Sequence, residues 1–358
     1  MPTFRHDKPA LLPLASILLT AAPRPTWNRY CLPKVMLRVV IACLALHVVL
    51  AAQAADPFTF FRPSVVMSLD DRRRLDEGES VARVLPGQDR EVAIFAAVPV
   101  DADGDRLIPW ARNIAALKKS SFVLAIGRFS DPPRLEDLGG LALEDDDLDD
   151  LRACRPTDCG LKLTAAEIAQ LQAAIAGRID WKSVLQDGFR RVVLQRVEAY
   201  LAHGLSSPAV FSSIVRRSMC LTEQLPAFAN YLDRYPQVSM PQVESFIYWS
   251  KERFGGKPVI SVTHVSMLRG AGAAQPDALV AGKQIFATHY MNGALALTAI
   301  VGGGPGSRRY LAYLNRSEVD VLGGFLGGLA RWLVERRLKS EASDVLQGLR
   351  RRIESGPP

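Results

Sequence analysis

Of the 5 histidines in this 358-residue chain, three lie beyond residue 54: His203, His264 and His289. Imidazole is the side chain best suited to moving a proton near neutral pH. Two of the three fall in β-rich stretches. With period-two alternation, Ile260, Val262, His264 and Leu268 share one strand face, and Ile285, Ala287, His289, Met291 and Leu295 share another. If both faces line one cavity, His264, His289, Glu244 and Tyr248 converge into a polar patch that can orient a ligand or transfer a proton. The plainer alternative is two hydrogen-bonded core histidines. The chain has no GxSxG elbow, no HExxH and no Cys-His pair of known spacing, so enzyme status stays open and leans against catalysis.

Other residues that could do chemistry have structural rivals. Cys154 and Cys159 read as a local disulfide closing a tight loop, with half of a metal site as the rival, and Cys220 reads as a buried thiol. Asp101-x-Asp103-x-Asp105 starts like a calcium loop, but Gly104 comes too early and Arg112 stands where the closing Glu belongs. Helix capping explains it better, and Glu144 to Asp150 fits a helix N-terminus and solvated face. No metal and no cofactor is expected. Arg316 either pairs with an anionic head group at a cavity mouth or forms an ordinary salt bridge. Gly323, Gly324, Gly327 and Gly328 open the last helix with one bare face, which admits close packing against a sheet or a ligand held at Gly324 and Gly328.

The elements that must position these residues follow from periodicity. Glu91–Val100 and Ser121–Phe129 read as strands on either side of a helix from Arg106 to about Lys118. A helical section follows, with a capping box at Thr164–Glu167 and a long helix over Asp180–Leu201 stopped by Gly204. Then come Val243–Arg253 and Pro258–Leu268 around a Gly-Gly turn, Lys283–Asn292 and Ala294–Val301 pivoting on Gly293, and Arg308–Asn315. A helix from about Val321 to Ile353 closes the chain, with Arg336, Arg337 and Arg350–Arg352 giving it a basic outer face suited to weak contact with anionic lipid.

This α+β order of β, α, β, helical insertion, five β and a long α resembles the helix-grip (START-like, or SRPBCC) superfamily. The resemblance covers roughly 90–130 and 243–353. It implies a curved antiparallel sheet gripping the C-terminal helix, with an apolar cavity between them. Residues 90–135 and 240–358 then form the helix-grip-like domain, 136–239 an insertion after the second strand that covers, gates or fills the cavity, and 55–89 an N-terminal linker. The chain also resembles uncharacterised exported bacterial proteins carrying the KQIFATHY and YLNRS stretches, a likeness that assigns no activity.

Residues 1–54 read as a leader. Met36-Leu-Arg38, an apolar run from Val39 to Leu50 and Ala52-Gln53-Ala54 have the form of a secretory signal peptide, and 1–35 that of a start-site extension. Taking the six basic residues and one acid of this leader from 44 and 37 leaves 38 and 36, a net charge near +2. Nucleic acid is therefore not implied. The expected location is periplasmic or secreted. Three functions remain: binding a hydrophobic small molecule or lipid in the cavity, an enzyme using His264 and His289 there, or an envelope protein–protein interaction module built on the insertion.

Overall fold

Ser68 opens the first helix as a reciprocal capping box with Asp71, and Asp103 caps the one after the second strand by accepting from Arg106 N. Asp103 thus does the capping expected of it. The computed structural model describes residues 56–358 apart from 157, 255, 271–274, 303–306 and 324–326. The leader, its signal peptide at 36–54 and Gly324 lie outside the described residues. Among those described, no helix is long and apolar enough to cross a membrane.

In chain order the elements are α1 (Leu69–Asp76), β1 (Val81–Leu85), β2 (Glu91–Val100), α2 (Gly104–Arg112), α3 (Ile114–Lys118) and β3 (Val123–Arg128). The helical section holds α4 (Asp145–Ala153), α5 (Ala165–Ile175), α6 (Trp181–His203), α7 (Ala209–Arg217), α8 (Met219–Gln224) and α9 (Pro226–Arg234). Then follow β4 (Glu244–Phe254), β5 (Lys257–Arg269), β6 (Ala278–Ala287), β7 (Met291–Gly302), β8 (Arg309–Val319) and α10 (Gly327–Glu354). The fold is α+β. One open antiparallel sheet runs in the order β1-β2-β8-β7-β6-β5-β4-β3, so the second strand closes against the last.

Each face of this sheet has its own cover. Ala96, Val98, Phe246, Val265, Met267, Ile300 and Leu311 point to the side of α2 and of Leu346 and Ile353 in α10. Their neighbours Phe95, Ala97, Ile247, Trp249, Val262, Leu279, Leu297 and Leu314 point the other way, into the N-terminal segment and α4–α9. The alternation of a strand makes this division strict. The helical section therefore covers the face opposite α10 and neither gates nor fills the space beside that helix.

Three assignments differ from the sequence reading. Residues 56–89 are not a linker: Phe58 and Phe61 pack on Phe95, and β1 pairs with β2. The helix placed over 106–118 is two, broken at Asn113, whose side chain caps α3. The second hairpin turns at 288–290, where Tyr290 takes φ 62°, rather than at Gly293. Gly293 lies inside β7, and a Cβ there would meet Val210 Cγ1 at 3.0 Å, so this glycine admits α7 rather than making a turn. The Cys154 and Cys159 sulfurs are at bonding distance, with Cα atoms 5.0 Å apart. Reduction is expected to lower stability by about 2 kcal/mol on loop-closure entropy, read as a fall in the urea midpoint with dithiothreitol; an unchanged midpoint would contradict it. The Cys220 thiol is buried, which pushes its pKa up to about 12.

Candidate functional site

The α10-facing side of the sheet changes character at its centre. On β7, Ala294, Ala296 and Thr298 are half-buried while the intervening Leu295, Leu297 and Ala299 are buried. The same holds for Ser261 and Thr263 on β5, Gly282 and Gln284 on β6, and Tyr313 and Asn315 on β8. These side chains are small or polar, in registers that place them on adjacent strands: Ala296 pairs with both Gly282 and Asn315, and Thr298 with Tyr313. Helix α10 runs over β1, β2 and β8, and α2 covers one end of β5–β7. The half-buried middle of the face between them is here called the hollow.

The hollow has a charged wall. Lys118, at the end of α3, donates to Glu252 at 2.5 Å and to the Tyr248 hydroxyl at 3.3 Å, and Ser250 donates to Glu252 at 2.6 Å. Glu252 and Ser250 share the face of Tyr248 on β4 because all three are even-numbered, and Ser250 meets Ser261 across the strands at 3.4 Å. Lys118 and Glu252 are half-buried, with 28% and 30% of their side-chain surfaces accessible. Burial works against the Lys118 ammonium, but Tyr248 and the Glu252 carboxylate outweigh it and hold its pKa above the ordinary lysine value. Burial likewise works against the Glu252 carboxylate, and Lys118 and Ser250 together hold it below its ordinary value. Tyr313 beside them is raised to about 12, chiefly by burial. Asn315 accepts from Ser317 at 2.6 Å further along the same face.

Among the residues the sequence singled out, Tyr248 borders this hollow. His264 faces away from it: its Nδ1 is 2.8 Å from the Tyr200 hydroxyl of α6, with the Tyr235 ring 4.4 Å off. Burial, followed by the nearby Lys283 charge, lowers its pKa to about 3. His289 sits in the β6–β7 turn, with Nδ1 2.9 Å from Gly160 O and Nε2 3.2 Å from Asp147, which also pairs with Lys257 at 2.9 Å. The two imidazoles share no partner, so the convergence expected of them is not found. Glu244 is exposed and bound by Arg112 at 2.6–3.0 Å. Arg316 is buried on the opposite face against Glu91 at 3.1 Å, so it is a salt-bridge partner and not at a cavity mouth. At Gly328 a Cβ would meet no heavy atom within 4 Å, so close packing does not explain it. The basic run on α10 is partly committed: Arg350 pairs with Glu354, and Arg352 donates inward to Leu117 O at 2.6 Å.

Sequence reasoning missed Lys118, Ser250, Glu252, Tyr313 and Asn315. The signal was present on β4, where Tyr248, Ser250 and Glu252 share parity with Phe246. Lys118 carried none, because only the fold brings the end of α3 onto β4. Two of the five acids of α4 are ion-paired, Asp145 with Lys182 and Asp147 with Lys257 and His289, and no group of residues that could hold a metal ion occurs among the described residues.

No family model matches the chain, and no curated protein matches it. Among solved structures, TTHA0849 from Thermus thermophilus aligns with 40% of this chain and 89% of its own length, at 16% identity and a TM-score of 0.23. Nothing about this chain's function follows from so low a score.

Proposed function

We propose that this chain is a binding protein of the helix-grip kind, holding an amphiphilic small molecule in the hollow between the sheet and α10. The observation that carries the reading is the half-buried centre of that face: small and polar side chains on β5–β8, between α2 and the described part of α10. The closure of β2 against β8 and the C-terminal helix on one face support the helix-grip comparison. The Cys154–Cys159 pair supports export to an oxidising compartment.

Binding is preferred to turnover on ionisation grounds. An efficient general acid or base has a pKa near the working pH. In the hollow Lys118 is pushed up and Glu252 down, so both stay charged at neutral pH and neither is poised to exchange a proton. His264, held neutral, lies on the other face. An interaction module on the insertion has less support, since its exposed large apolar residues are Ile179 and Met219 alone among those described, and isolated ones are ordinary.

The ligand of this reading has an apolar body and uncharged polar atoms. Thr263, Gln284, Thr298 and Asn315 offer neutral donors and acceptors, while Ala294, Ala296 and Gly282 leave room. The fluorescent amphiphile N-phenyl-1-naphthylamine is expected to bind saturably to the full chain. Ala296→Phe, which places a ring in the hollow, is expected to weaken it at least about tenfold, about 1.4 kcal/mol, while His264→Gln leaves it unchanged. Equal affinity in the Ala296→Phe variant, with its circular dichroism intact, would overturn the reading.

A further inference from the structure

We infer that the first half of α10, with the end of the β4–β5 hairpin beside it, is a docking surface for the anionic face of a lipid bilayer. This surface lies on the outside of the fold and is independent of the hollow.

In this half α10 has a buried and an outer side. Val334 and Leu338 pack against Val92, Val319 and Leu322. Trp332, Arg336 and Lys339 follow one another at i, i+4 and i+7, so they form one stripe on the outer side. All three are exposed, and 52% of the Trp332 surface is open. The Arg336 guanidinium lies over the Trp332 ring, 5.3 Å from its centroid. Neither Arg336 nor Lys339 has an ion-pair partner among the described residues. Single exposed apolar residues are ordinary, but an indole beneath an unshared cation matches the membrane–water interface, where rings lie at headgroup level and cations meet phosphates.

The surface continues sideways onto the hairpin. Arg337, the next residue after Arg336, lines a cleft with Phe122, Arg253 and Lys257, and no carboxylate lines it. Phe122 is 37% exposed. Two of these cations are shared, Arg337 with Glu341 at 2.6 Å and Lys257 with Asp147 at 2.9 Å. Arg253, Arg336 and Lys339 have no carboxylate partner among the described residues. Of the acids nearby on α10, Glu335 is held by Arg331 at 3.4 Å, and exposed Asp344 comes only after Lys339 by more than a turn.

The partner follows from charge and arrangement. The unshared cations are spread along a helix face and a hairpin end instead of converging on one point. With two exposed rings among them, they suit a sheet of phosphate groups over an apolar layer better than one free anion. The patch also has an edge. On the far side of Lys257 the surface is lined by Glu144–Asp147, which an anionic bilayer repels. The contact therefore centres on the first half of α10 and not on Arg350–Arg352, where Arg350 pairs with Glu354 and Arg352 donates inward to Leu117 O at 2.6 Å.

Sedimentation of the full chain with vesicles is the test. Phosphatidylcholine vesicles containing about 30% phosphatidylglycerol are expected to bind it at least about tenfold more tightly than phosphatidylcholine alone, and added salt is expected to shrink the difference. Residues 1–54 have basic and apolar side chains of their own, so the effect is read between chains that share them. Arg336→Gln, Lys339→Gln is expected to weaken binding to the anionic vesicles about tenfold. Arg155→Gln, Arg191→Gln removes as much charge from exposed residues of the helical section on the other face, and is expected to weaken it less than about twofold. Lipids brominated near the headgroup are expected to quench more tryptophan emission in the wild-type chain than in Trp332→Phe. Unchanged affinity in the Arg336, Lys339 variant would overturn the inference by assigning the binding elsewhere. Equal weakening in the two double variants would overturn it by reducing the attraction to net charge. Equal quenching with and without Trp332, or a wild-type chain indifferent to phosphatidylglycerol, would also overturn it.

Discussion

Glu91→Gln is expected to destabilise the fold by about 3–5 kcal/mol, the cost of stranding buried charge by removing one partner. Glu91 is 1% exposed and lies between two guanidiniums, Arg316 of β8 at 3.1 Å and Arg217 of α7 at 2.7 Å. Its own backbone carbonyl accepts from Arg331 of α10 at 2.8 Å. The first residue of β2 thus joins that strand to the last strand, the helical section and the C-terminal helix. The amide keeps the shape and removes the charge that both arginines face, so the loss reports the ion cluster rather than a cavity. Urea unfolding of the two proteins is the measurement, and a difference below about 1 kcal/mol would mean that water reaches the arginines.

A second large effect follows from His264. Its pKa in the fold, about 3, lies below the ordinary histidine value of about 6.5 in an unfolded chain. Between those values the unfolded chain binds a proton that the folded one does not. The stability from this group is therefore complete above about pH 6.5 and is lost as pH falls toward 3. From pH 7 to pH 4 the loss is about 3 kcal/mol at 1.36 kcal/mol per unit. The groups around the ring are Tyr200, Tyr231, Tyr235 and Lys283, with Asp233 beyond Lys283. Burial raises the pKa values of Tyr200 and Tyr235, and Lys283 is lowered to about 8, so these do not titrate between pH 7 and 4. In His264→Gln the decline over that range is expected to be smaller by about 3 kcal/mol, and parallel declines in the two proteins would contradict it.

How far the fold could be read in advance depends on where each signal lived. Alternation along β5, β7 and β8 put Val262 and His264 on one face, and the Thr164–Glu167 capping box is present as expected. Both are local patterns. Gly293 looked like a turn because its reason for being glycine, the approach of Val210, comes from a helix more than eighty positions earlier. β1 was hidden by its length and by Arg83, whose side chain bonds Asp71 of α1 at 3.2 Å rather than projecting into water. The site suffered most, because histidine invites a chemical reading wherever it falls. Here both imidazoles hold helices to the opposite side of the sheet, through Tyr200 and Asp147. The polar wall beside α10 is built from a lysine and a carboxylate that look like surface residues in one dimension and meet only through the β3–β4 pairing.

Which face holds the ligand is decided most directly by photo-crosslinking. The full chain, incubated with a dodecanol-length alcohol bearing a diazirine, is irradiated and its labelled peptides are mapped by mass spectrometry. The account predicts labels on the α10-facing residues of β5–β8, around Thr263, Gln284, Ala296 and Asn315, and their loss in Ala296→Phe. Labels concentrated in α4–α9, on the side of His264, would contradict it.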